Sequence, residues 1–225
     1  ESAKMPWAGV RAIVPVFDAD PESHVVEEAL KLEMGPRDSL VPPNLRTKYA
    51  KFIEANFGES ARAIGWIPKA GESDEARLLR PRLLLAVATF GDEEGLAQQA
   101  KELAGAWLAT QQGIDPSLIG PVLTTAAYSG DMALAKRYVA VWPKLDPQQQ
   151  AALLTAMVGF RDAGAIRFLL EAVVSGRLPV TPASNLFFYA GRNAQSTRGV
   201  RLKFLEEHFD EIVQLIGEKL FGGKR

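Results

Sequence analysis

Imidazole, thiol and paired carboxylates do most hydrolytic, redox and metal chemistry, and this chain holds few of them. Its 225 residues include two His and no Cys. No thiol nucleophile, disulfide, iron–sulfur cluster or Cys-bearing zinc site can form, and two imidazoles cannot make a three-His centre. A zinc pair on a helix needs two His four residues apart, so that both rings share a face. His24 is followed by Val25-Val26-Glu27-Glu28 and His208 by Phe209-Asp210-Glu211-Ile212, so neither fits. The run Glu206-Glu207-His208-Phe209-Asp210-Glu211 reads as a solvated helix face rather than a hard-ion site, and His24, beside Ser23, reads as the start of a helix. No Gly-x-Ser-x-Gly elbow, P-loop or dinucleotide fingerprint is present, and no pair of acids stands apart from helix surfaces. The expectation is a chain with no catalytic residue and no metal ligand.

Arginine offers the remaining chemistry. Arg77, Arg80 and Arg82 follow one another on a helical stretch, and Gly191-Arg192-Asn193 with Arg198 interrupts the helices before the last one. Such side chains either pair with the 27 acids at the surface or present a planar fork that grips a carboxylate, such as a peptide C-terminus. Trp7, Trp66, Trp107 and Trp142 are far apart in sequence, at spacings that suit core packing.

The elements that must position these groups are helices. Leu96, Ala100, Leu103, Ala104, Trp107 and Leu108 recur at steps of three and four, which gathers them on one helix face. Ile166, Leu169, Leu170, Val173 and Val174 repeat the pattern, as do Leu45, Tyr49, Phe52 and Ile53, and, with longer steps, Leu202, Leu205, Phe209, Ile212 and Ile216. Asp115-Pro116, Asp146-Pro147 and Thr181-Pro182 each set a capping side chain before a proline suited to a first helical position, and Asp146 to Gln149 has capping-box spacing. No convincing polar/apolar alternation competes with them.

The joints recur as well. Thr89-Phe90-Gly91-Asp92, Tyr128-Ser129-Gly130-Asp131 and Gly159-Phe160-Arg161-Asp162 each end one apolar helix and begin the next. Intervals of this order belong to helical-hairpin repeats. The predicted fold is therefore all-α: an α-solenoid of HEAT-like or armadillo-like antiparallel helix pairs, with an irregular bundle as the alternative. One domain over 1–225 is expected, with loop breaks near 35–43 and 68–74. Twenty-six basic against 27 acidic residues leave a net charge of −1, which gives no drive toward nucleic acid or an anionic membrane, so neither is expected as a partner. The first residue is Glu1, which suggests a processed product or a piece of something longer.

Several phrases in order carry a resemblance: Pro6-Trp7-Ala8, Leu79-Arg80-Pro81-Arg82-Leu83-Leu84, Phe90-Gly91-Asp92-Glu93-Glu94, Ala106-Trp107-Leu108, Asp146-Pro147-Gln148-Gln149, Gly159-Phe160-Arg161-Asp162, Asn193 through Arg198, and Phe204-Leu205-Glu206-Glu207-His208-Phe209-Asp210. Together they resemble the C-terminal domain of zinc aminopeptidases of the aminopeptidase N, puromycin-sensitive and endoplasmic reticulum types. The resemblance implies a non-catalytic helical domain that caps the active-site cavity and helps select peptides. The zinc and its HExxH site would lie in the catalytic domain of the same parent chain. It also implies that basic side chains contact the peptide's carboxyl end, for which Arg80 and Arg192 are the candidates. The alternative is a stand-alone scaffold that binds a protein or peptide.

Overall fold

The computed structural model describes residues 41–91, 93–191 and 197–221. Among them every regular element is a helix. The chain forms two compact units, Glu1–Gln99 and Ala100–Arg225.

In the first unit, a 3-10 turn at Pro43–Leu45 leads into α1 (Arg46–Ile64), and α2 (Asp74–Phe90) packs along α1. The buried face of α1 is Ala50, Ile53, Phe57 and Ala61, a rotation away from the predicted stripe: Leu45 lies in the 3-10 turn and is exposed. Between the helices, over 65–73, the chain is non-helical, and most of 35–43 lies outside the described residues. Ser73 caps α2 by accepting from the Ala76 amide at 3.2 Å, and Asp74 and Glu75 place negative charge on the positive end of its dipole. Helix α3 (Glu94–Thr110) begins here, and the Trp66 indole donates to its Leu96 carbonyl at 2.9 Å.

The second unit holds α4 (Pro116–Tyr128), α5 (Met132–Val141), α6 (Pro147–Val158) and α7 (Ala163–Val174). Four aspartates start them. Asp115, Asp131, Asp146 and Asp162 accept from the amides of Ser117, Leu134, Gln149 and Ala165 at 2.7 to 3.0 Å, and Asp146 with Gln149 completes the expected capping box. Helix α4 packs against α6, and α5 against α7. The core includes Leu123, Tyr138, Leu153 and Phe160, together with Ile166, Leu169, Leu170 and Val173 of the predicted stripe.

The last helices depart from expectation. A short helix α8 (Val180–Ala183) starts one residue before Thr181, behind Pro179, without a side-chain cap, so Thr181-Pro182 lies inside it rather than at its entry. It is followed by α9 (Asn185–Tyr189), α10 (Arg198–Glu207) and α11 (Phe209–Phe221). The pattern Leu202, Leu205, Phe209, Ile212, Ile216 presumed one continuous phase. The chain instead breaks at His208, the C-cap of α10, which resets the helical phase. Leu202 and Phe209 are consequently 55% and 64% exposed; Ile212 of the predicted stripe is buried, and Phe204, outside it, is buried as well. No described helix is long and apolar enough to cross a membrane.

Candidate functional site

Arg80 is where its helix requires an inward-facing residue, on the α2 face that also carries Leu83, Leu84 and Val87. It is 1% exposed. A guanidinium so placed must be paired, and the chain supplies the partners itself. Nε donates to the Gly65 carbonyl at 2.9 Å and Nη2 to the Ile64 carbonyl at 3.5 Å, while Nη2 also pairs with the Glu72 carboxylate. The cation thus closes the C-terminal end of α1, where unpaired carbonyls and the dipole both favour it. The same guanidinium holds the Glu72 carboxyl below its ordinary range, first by hydrogen bonding and then by charge. Arg77 reaches Asp74 at 3.7 Å in solvent. Arg192 lies outside the described residues, so Arg80 and Arg192 are not seen together.

His208 stacks on Phe204 with ring centres 4.3 Å apart, and its Nδ1 is 3.0 Å from Glu211 Oε2. Glu207 of the same run pairs with Arg167 at 3.0 Å. Within the charge run, Glu207 is ion-paired and His208 contacts Glu211. Among the described residues no group of three or more His, Cys, Asp or Glu is arranged to hold a metal ion. The zinc implied for a parent enzyme therefore finds no ligand set among them. His24 and Trp7 lie outside the described residues. Trp66, Trp107 and Trp142 are buried, as core packing predicts.

The second unit carries a cleft of about 580 Å³, a size within the range of ligand sites. It opens beside α6, with Trp142, Pro147 and Leu154 on one side and Pro182, Asn185 and Tyr189 on the other. Two local features build it. Trp142-Pro143 forms a 3-10 turn after α5, held by the Gln150 side-chain amide, which donates to the Trp142 carbonyl at 3.2 Å. On the other wall, Arg201 of α10 donates to the Phe187 carbonyl at 3.4 Å and to that of Phe188, closing the end of α9. Gly191 takes φ +65°, a conformation that glycine adopts without strain, and Thr197 Oγ1 donates to its carbonyl at 3.2 Å.

Among the described residues the cleft lining is apolar and aromatic with a few amide and hydroxyl groups, and none of those lining it is Asp, Glu, Lys, Arg or His. Phe188 beside it is 58% exposed and Tyr189 45%. Sequence reasoning passed over these residues. The available signal was Phe187-Phe188-Tyr189: three consecutive aromatics on a helix point about 100° apart, so they cannot all enter one core.

Aminopeptidase N of Lactobacillus delbrueckii subsp. lactis is 28% identical over 169 residues, which is 71% of this chain and 20% of that protein. Aminopeptidase M1 of Arabidopsis thaliana is 27% identical over 170 residues, 72% of this chain and 18% of that protein. The chain thus spans about a fifth of the length of the curated relatives it matches. The model of the ERAP1-like C-terminal domain matches residues 2–223, and the chain belongs to that family.

Proposed function

We propose that residues 1–225 form one non-catalytic C-terminal domain of a zinc-dependent aminopeptidase, which caps the active-site cavity and helps select peptides while N-terminal residues are removed. The observation that carries this reading is the family match across nearly the whole chain. A peptide substrate and a catalytic domain elsewhere in the parent chain are the partners it implies. Zinc chemistry belongs to that other domain.

A solenoid of HEAT-like helix pairs is part of the same reading. Its support is the next-but-one packing of two helix pairs in the second unit, α4 on α6 and α5 on α7, with repeated Gly and Asp joints between them. The cleft beside α6 is the proposed contact with peptide. Arg80 and Arg192 belong to the proposal as contacts to the peptide's carboxyl end, a role for which Arg80 would have to exchange Glu72.

Assay of the isolated chain on an aminoacyl anilide with added zinc tests the assignment. No product above the blank is expected. Metal-dependent release at enzymatic rates would overturn it.

A further inference from the structure

Resting on the reading of the α6 cleft as a peptide contact, we infer that Arg201 of α10 is a positioning residue for peptide selection. It holds the α9 wall of the cleft, and with it Tyr189, while lying outside the cleft itself. Helix α9 needs such help. Its five residues, Asn185–Tyr189, are too few to hold a helix unaided, and nearly all of its carbonyls are terminal ones that lack a partner within the helix. Leu186 and Phe187 are buried and anchor one side of α9, which packs on α6 and α7. Phe188 and Tyr189 on the other side are exposed, so their direction follows the backbone rather than a surrounding core.

Arg201 acts on that backbone. Its Nη1 donates to two successive carbonyls, that of Phe187 at 3.4 Å and that of Phe188, and hydrogen bonds from a charged donor are about twice as strong as neutral ones. The helix that carries Arg201 is itself fixed. Phe204 of α10 is fully buried, the Arg167 guanidinium of α7 lies 5.6 Å from the centre of its ring, and Arg167 also pairs with Glu207 at 3.0 Å. The connection from α7 through α10 and Arg201 to α9 ends at Tyr189 in the cleft wall, and Arg201 does not line the cleft. An ammonium on the flexible stem of lysine would keep the charge but not the planar, pre-set donor.

The test compares Arg201→Met and Arg201→Lys in the intact parent enzyme with Ala151→Trp, which fills the cleft directly, and with Lys203→Met, an exposed change on the same helix. Each is read for kcat and KM with a long peptide, with the same peptide amidated at its carboxyl end, and with an aminoacyl anilide. Hydrogen exchange is followed over residues 185–190, which include the Ala190 amide bonded to the Leu186 carbonyl at 3.0 Å. Arg201→Met should speed that exchange by about tenfold with α7 unchanged. It should also lower kcat/KM about tenfold for both peptides, through KM, and leave the anilide alone. Arg201→Lys should lose most of the same factor, and Lys203→Met should change nothing. A loss confined to the free-carboxyl peptide, or full activity in Arg201→Lys, would overturn the inference in favour of direct ionic contact with substrate. Unchanged exchange over 185–190 in Arg201→Met, or equal losses for peptide and anilide, would overturn it outright. If α9 opens but neither Arg201→Met nor Ala151→Trp alters peptide turnover, the reading of the cleft falls and the inference with it. If Ala151→Trp alone lowers peptide turnover, only the inference falls.

Discussion

Arg80 reaches back fifteen residues to set its Nε 2.9 Å from the carbonyl of Gly65. That bond and the pair with Glu72 fasten α2 and the loop before it to the end of α1. A residue that reads from sequence as a surface cation is therefore a buried clasp.

Replacing Arg80 with Met should lower the unfolding free energy by about 2 kcal/mol through loss of its charged hydrogen bonds to the α1 carbonyls. Urea denaturation reads this directly. The Glu72 carboxyl is depressed below its ordinary value of 4.5. A carboxyl depressed in the native state contributes stability that is fully present above the unfolded value and is lost as pH falls through the native one. The stability difference between wild type and Glu72→Gln should accordingly be constant near neutrality and shrink once pH drops below about 4.5. A difference that grows in acid would contradict the pairing.

Gly130 sits at a repeated joint where a Cβ would lie 2.7 Å from Leu134 Cδ2 and 2.9 Å from Phe160 Cε1. Gly130→Ala should destabilise the chain by about 1–3 kcal/mol through overpacking. Gly120, in the interior of α4, has only Ala152 Cβ near, at 3.8 Å. Gly120→Ala should be neutral or stabilise by about 0.5–1 kcal/mol, because alanine restricts the unfolded chain and suits a helix. Unfolding midpoints of the two variants should move in opposite directions or differ clearly in size.

Tyr138 of α5 donates its hydroxyl to the Leu123 carbonyl of α4 at 2.7 Å, and its ring meets Phe160 edge-on at 5.5 Å. Burial pushes the phenol far above its usual range. The native state thus favours the protonated form, and this stability is lost only as pH rises past the ordinary phenol value. Tyr138→Phe should cost about 1 kcal/mol at neutral pH, and it should reduce the steepness of alkaline unfolding. Guanidinium titrations at neutral and alkaline pH check both.

Much of the helical plan is written locally, which is why it is legible. Asp115, Asp131, Asp146 and Asp162 cap helices through amides two or three residues away, and their spacing announces this without any tertiary partner. The failures share the opposite cause. The break at His208 is not marked by proline or glycine, so the apolar count from Leu202 to Ile216 ran through it. Arg80 finds Glu72 and the α1 carbonyls only after α2 has packed on α1. The cleft brings Trp142 and Gln150 together with Tyr189, which lies well beyond them in sequence, and these residue types carry no spacing rule.

The account rests most on the domain's part in choosing peptides. Ala151 is an exposed α6 residue in the cleft wall, and Ala151→Trp would fill the space without disturbing a buried contact. In the intact parent enzyme, kcat/KM for a long peptide and for an aminoacyl anilide should be compared before and after that substitution. The account predicts a fall of about tenfold for the peptide with the anilide unchanged. Equal loss for both substrates, or no change in either, would contradict it.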